Sequence, residues 1–264
     1  MDFGTRERER ALQAFQSFVF EYDLADTRIA GKIEHTHNVT GLCDFIARKE
    51  GFPEEDVNLA WLCGLLHDVG RFEQLKRWST FNDAQSVDHA RLGAEMLLAN
   101  DGELLERFVA DDEWKRIIEA VVRFHGAFRL PDTLAGRARV LCEIVRDADK
   151  VDIVRVFSLS DCFSILGLAP DEFMCGEISD AAMGGFGERR CLNREDRQGS
   201  LDGLVGVVCL AFEIVHQPAL DELARLGYLD SLLRSPFGLE PNFSNPDTQR
   251  KWSTIAEFYS HGFA

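Results

Sequence analysis

The sequence predicts an all-α protein, and three observations carry that expectation. Apolar residues recur every three to four positions in nearly every segment, the spacing of one helix face. Acidic or hydroxyl residues precede these stripes and glycines or prolines follow them, as helix starts and stops. No alternation of apolar and polar residues runs longer than a few positions, so nothing reads as a half-buried strand. The chain has 264 residues. With no internal repeat and no low-complexity linker, a single all-α domain is expected.

Residues 5 to 23 interleave charge with Leu12, Phe15, Phe18, Val19 and Tyr22, which gives a helix one apolar stripe. Asp26-Thr27 and Gly31 read as a break. The next helix, from about Lys32 to Lys49, buries Val39, Leu42, Cys43 and Ile46. His35 lies on that stripe, four positions before Val39. His37 falls with Gly41, Asp44 and Arg48 on the polar side, so it is expected at the surface. Gly51-Phe52-Pro53 ends this helix, and Glu54-Glu55-Asp56 places acid at the next N-terminus, where the helix dipole favours it. The run from Leu59 to Leu66 is apolar on all sides and reads as a buried helix. It ends in His67-Asp68, with Gly70 as its stop.

A polar connection is expected next, through Arg71, Glu73, Gln74, Lys76 and Arg77 to Asn82-Asp83. Ser86 is read as the cap of a helix whose stripe holds His89, Leu92, Gly93, Met96 and Leu97. Asp111-Asp112 opens another, with Trp114, Ile118, Val121 and His125 on one face and Gly126 behind it. Pro131 and Gly136 punctuate a loop. A long helix from about Arg137 to Phe157 then carries Asp149 and Asp152 on an apolar face, with Asp147 offset and expected exposed. From Pro170 to Gly203 the pattern weakens. The stretch Gly184–Arg190 reads as a flexible basic loop, either a plain surface connection or a lid over an anionic substrate. A buried helix from Gly203 to Val215 and two or three amphipathic helices close the chain, the last with Trp252, Ile255, Ala256 and Tyr259.

Composition narrows the function classes. A formal charge of −16 with no Lys/Arg run argues against a nucleic acid polymer as partner. No apolar run reaches the ~20 residues of a membrane span. The charged N-terminus lacks the apolar core of a signal peptide, so a cytoplasmic location is expected. The seven cysteines form no CxxC pair and are expected as reduced core thiols. Oligomeric state has no signature in the sequence.

The chemistry lies in a constellation. His35, His67 with Asp68, His89, His125 and Asp149 come from five helices, each from an inward stripe. Singly each is unremarkable, since a buried histidine beside an aspartate is often a hydrogen-bonded helix end. A helical core avoids so many buried polar groups unless each is paired, and metal coordination would satisfy all of them. Imidazole and carboxylate donors suit Fe, Mn, Co, Ni and Zn about equally.

The order His…His-Asp…His…His…Asp resembles the HD-domain superfamily of metal-dependent phosphohydrolases. The motifs that carry the resemblance are Lys32-Ile33-Glu34-His35-Thr36, Gly64-Leu65-Leu66-His67-Asp68-Val69-Gly70-Arg71 and Asp147-Ala148-Asp149-Lys150-Val151-Asp152. Gly70-Arg71-Phe72-Glu73-Gln74 and Ser86-Val87-Asp88-His89-Ala90 bring it nearest to stand-alone bacterial HD proteins. It covers about residues 30–155, an HD core, and leaves 156–264 as a C-terminal helical extension. It implies an all-α bundle with one divalent ion on His35, His67, Asp68 and Asp149. His89 and His125 fall where two-metal members hold a second ion, with Asp68 between the two. Gly126 follows His125 and there is no Gly-Tyr-Pro signature, which disfavours a cyclic-di-GMP phosphodiesterase of the HD-GYP type.

The implied activity is hydrolysis of a phosphoester of a nucleotide or similar small phosphorylated substrate by a metal-bound hydroxide. Asp68, Arg71 and Lys150 are the candidate catalytic residues, the two cations as phosphate contacts. Asp88 and Asp152 are expected to orient ligand histidines. Two alternatives have the same ligand pattern: an HD-type di-iron oxygenase, and a non-catalytic metal- or nucleotide-binding module.

Overall fold

The computed structural model describes residues 3–260. Among these it is built of helices, with no strand. Two compact units divide at Asp149 and Lys150.

The first unit contains α1 (Thr5–Val19), α2 (Thr27–Lys49), α3 (Glu54–Leu66), α4 (Val69–Trp78), α5 (His89–Glu106), α6 (Asp112–Phe124) and the start of α7 (Gly136–Leu159). α3 buries every residue from Val57 to Leu66. A helix apolar all round has to be surrounded, and α1, α2 and α6 all pack against α3. Its approach to α2 is set by Gly64, where a Cβ would fall 2.9 Å from Cys43 Sγ and 3.0 Å from Thr40 Cα. Truncating Leu62 or Leu65 here, both fully buried, would cost about 2–5 kcal/mol.

Several local expectations change once packing is seen. α2 starts at Thr27, because the Asp26 side chain accepts from the Arg28 amide at 2.8 Å and caps it. Gly31 therefore lies inside a helix. The expected polar connection after Asp68 is α4, which buries Phe72, Gln74 and Leu75 and turns Lys76 and Arg77 outward. Gly70 is not a stop. It lies within α4, where a Cβ would fall 2.6 Å from the Gly93 amide nitrogen and collide with the His89 carbonyl. Only a residue without a side chain lets α4 cross the start of α5 at backbone contact. Asp88, not Ser86, caps α5, by accepting from the Arg91 amide at 3.0 Å.

Asp147 is fully buried rather than exposed. Leu141, Cys142, Ile144, Val145 and Ala148 are at most 1% exposed, so this part of α7 is enclosed around a wide arc and offers no solvent face at Asp147. His37 is exposed as expected, its ring edge-on to Phe15 at 5.7 Å.

The second unit continues α7 and adds α8 (Cys162–Leu166), α9 (Pro170–Met174), α10 (Asp180–Gly187), α11 (Asp202–Val208), α12 (Gln217–Leu226), α13 (Tyr228–Arg234) and α14 (Pro246–Ser260). The basic stretch Gly184–Arg190 is not a free loop. Its first half ends α10, and Arg190 is ion-paired to Asp196 at 2.5 Å and to Glu188 at 2.6 Å. The fully buried Asp202 ties this region together by accepting from the Ser179, Gln198 and Gly199 amides at 2.9, 2.9 and 2.6 Å. All seven cysteines are free thiols. No helix among the described residues is long and apolar enough to cross a membrane.

Candidate metal centre

The site begins at the break between α3 and α4. His67 keeps helical backbone angles (φ −53°, ψ −41°), and Asp68 leaves them (φ −107°, ψ 18°). Adjacent residues in a continuous helix point about 100° apart. The turn at Asp68 removes that divergence and sends both side chains to one place. His35 comes from α2, His89 is the first residue of α5, His125 follows the last residue of α6, and Asp149 comes from α7.

These six residues, all in the first unit, converge on the Asp68 carboxylate. Its Oδ2 lies 3.6 Å from both His35 Nε2 and His67 Nε2. Its Oδ1 lies 3.4 Å from His89 Nε2 and 3.5 Å from His125 Nε2. Within each pair the facing nitrogens are close, 3.4 Å for His35 and His67 and 3.2 Å for His89 and His125. Asp149 Oδ1 joins the first pair, 3.1 Å from His35 Nε2 and 4.0 Å from His67 Nε2. One carboxylate thus presents one oxygen to each of two imidazole pairs. The four histidines and Asp68 are buried, and the Asp149 side chain is 19% exposed.

Tautomers decide what the facing nitrogens are. His67 Nδ1 donates to the Gly64 carbonyl at 2.7 Å, and His125 Nδ1 to the Val122 carbonyl at 2.8 Å. His89 Nδ1 donates to Asp83 Oδ2 at 2.7 Å. In a neutral ring with its proton on Nδ1, Nε2 is a bare lone pair. Burial pushes the His67 imidazole down to about 4 and also lowers His89. Near neutral pH these rings therefore aim lone pairs at a carboxylate and at one another. Such an array lacks a positive charge at its centre, and divalent cations supply one. The donor set, with outer partners fixing the rings, fits metal ions.

The aspartates match that reading. Burial alone would raise the Asp68 carboxyl, but Lys32 and the surrounding histidines outweigh it and hold it well below the usual carboxylate range. Burial likewise opposes ionisation of Asp149, and the His35 hydrogen bond and the nearby His67 outweigh it. Lys32, one turn before His35, places its ammonium 2.7 Å from Asp68 Oδ2. The sequence pattern had carried Lys32 only as part of a motif, because its reach to Asp68 spans 36 positions.

The remaining candidates fall as follows. Arg71 Nη1 is held by Gln74 Oε1, the Phe81 carbonyl and Asp83 Oδ1 at 2.6–2.8 Å. Arg71 Nε lies 3.8 Å from Asp68 Oδ1, is buried, and has no hydrogen-bond partner among the described residues. Lys150 is buried in the second unit and donates to the Glu213 carbonyl at 3.1 Å. Of the two aspartates expected to orient a histidine, Asp88 caps α5, and Asp152 pairs with Arg155 at 2.6 Å. Asp83 holds His89 instead. A cleft of about 370 Å³ opens beside His89, lined also by Asp83, Arg123 and Gly126.

A helical fold that gathers histidines and an aspartate from four helices around one His-Asp turn has the side chains of an α-domain that could hold metal. The HD domain family model matches residues 33–154, a little under half of the chain, and this segment carries the His and Asp cluster described above. That family consists mostly of metal-dependent phosphohydrolases, and its domain typically binds divalent metals. No curated protein and no solved structure matches the chain significantly.

Proposed function

We propose that this protein is a phosphohydrolase with a dinuclear metal site that cleaves a phosphoester of a nucleotide or similar small phosphorylated substrate. The carrying observation is the split use of Asp68, one carboxylate oxygen toward His35 and His67 and the other toward His89 and His125. In this reading His35, His67, Asp68 and Asp149 hold one ion, and His89, His125 and Asp68 hold the other. Bound divalent ions supply a Lewis acid that lowers the pKa of water and neutralises phosphoryl oxygens.

The chain's own groups do the rest. Asp68 fixes the spacing of the two donor sets, and Lys32 balances its buried charge. Nδ1 bonds at His67, His89 and His125 keep each Nε2 unprotonated and aimed inward. Arg71, anchored through Nη1, leaves its Nε edge facing the Asp68 side of the site, as a contact for a phosphoryl oxygen. The site's buried walls keep these electrostatic interactions strong.

The test is elemental analysis of protein purified without chelator or a nickel column, followed by assay on a panel of nucleotides and sugar phosphates. About two ions per chain and metal-dependent phosphate release are expected. Two iron atoms with oxygen consumption, a mixed-valence EPR signal and no phosphate release would replace this reading with the oxygenase. Tight ligand binding without turnover across the panel would replace it with a non-catalytic module.

A further inference from the structure

The three imidazoles whose Nδ1 partners are identified are not held alike. His67 and His125 are held by carbonyls three residues earlier in their own helices, which move only if the helix does. His89 is held by a side chain from outside its helix. Asp83 lies in the single 3₁₀ turn Asp83–Gln85 between α4 and α5, and its side chain is 40% exposed. The turn is seated from α4: Arg71 Nη1 donates to Asp83 Oδ1 at 2.7 Å, and Gln74 Nε2 donates to the same oxygen at 2.9 Å. Gln74, itself fully buried, also donates to Ser86 Oγ at 2.9 Å and to the Val87 carbonyl at 3.0 Å. One carboxylate therefore sets the tautomer of His89 with one oxygen and the pose of Arg71 with the other.

Resting on the dinuclear reading above, we propose that Asp83 is a positioning residue that sets the affinity of the His89/His125 half of the site. Metal then loads in two unequal steps. The half with His35, His67 and Asp149 has an extra carboxylate of its own and a ring held by helix backbone, so it fills first. The other half has two imidazoles besides the shared Asp68, and one of them depends on a surface turn staying seated. Removing an outer carboxylate from a ligating histidine frees the ring to rotate and to put its proton on Nε2, which blocks ligation. Asp83 also links that half to Arg71, so a seated turn presents the second ion and the phosphate contact together.

The experiment is a calorimetric titration of Mn²⁺ into chelator-stripped full-length protein, with the thermal midpoint of each variant measured beside it. The wild type is expected to show two steps. Asp83→Ala should weaken the looser step by about 10–100-fold and leave the tighter one within about twofold. Asp83→Asn should lie between, since its amide oxygen still accepts from His89 Nδ1 while its nitrogen faces Arg71. Glu95→Ala, at an exposed carboxylate further along α5, should move neither step. Two steps unchanged in Asp83→Ala, or both weakened in parallel, would overturn the proposal and leave the dinuclear reading standing. Three steps in the wild type would also overturn it, by making Asp83 a ligand. A single step of about one Mn²⁺ per chain in the wild type would overturn the dinuclear reading itself, and this inference with it; a single step of about two would overturn the inference alone.

Discussion

The two halves of the histidine cluster each set two imidazoles against one oxygen of Asp68 and are supported differently. On one side, His67 is fully buried, hydrogen-bonded to its own helix, and joined by Asp149 from α7. On the other, His125 is held by its helix while His89 depends on Asp83, which reaches it from an exposed turn. The same imidazole can thus be fixed by helix geometry or made conditional on a loop. Backbone support is as permanent as the helix. Support from a solvent-facing side chain can be lost by a local opening that leaves the core intact.

Asp68→Ala is the harshest way to break this comparison, since Asp68 is the only carboxylate that touches both halves among the described residues. Metal analysis should find neither ion retained. Turnover should fall by more than the ~100-fold typical of losing an outer partner. An Asp68→Ala protein that still held two ions would mean that the halves are independent sites.

His125→Ala separates them. It should bring metal content to about one ion per chain while the fold stays intact by circular dichroism. Two ions remaining would show that the His89/His125 pair is a packed core pair and not a ligand set.

pH probes the buried half without mutation. His67 is held down to about 4 by burial, whereas an unfolded imidazole titrates near 6.5. Between those values the unfolded chain binds the extra proton, so the chelator-treated protein should lose stability as pH falls through this window. The loss is on the order of 3 kcal/mol from His67 alone, and His89, lowered in the same direction, adds to it. Asp68 and Asp149 are shifted the opposite way for their type, below the usual carboxylate value, so their contribution persists across this range and is lost only at lower pH. Urea midpoints at pH 7.5, 6 and 5 in chelator would show the slope. A flat profile would mean that water reaches the ring.

His37→Ala is the mildest test. Two positions from His35 but exposed, it should change stability by no more than about 0.5 kcal/mol and leave metal content unchanged. Loss of an ion in this variant would reverse the assignment of the two histidines on α2.

Much of this was legible before the structure, and unevenly so. The helical class, the inward faces of His35, His89 and His125 and the His67-Asp68 turn all follow from period and residue type. Those are local properties: a helix repeats every 3.6 residues whatever surrounds it, so an apolar stripe predicts which donors face inward. Asp147 escaped this logic, because exposure depends on what encloses α7 and not on the helix's own pattern. The basic stretch ending at Arg190 escaped it too. Its composition suggested mobility, while Asp196 and Glu188 hold it by ion pairs the pattern does not announce.

The sequence by itself determined the fold class, the six inward-facing His and Asp residues and the match to the HD domain. Tertiary structure alone decided how the four histidines are divided between the two oxygens of Asp68, that Lys32 pairs with it, and that Asp83 rather than Asp88 holds His89. It also turned Gly70 from an expected stop into the point where α4 meets α5. Each of these is a distance between side chains or backbones on different helices. The periodicity of a single helix says which way a residue points, and only the packing of several says what it meets.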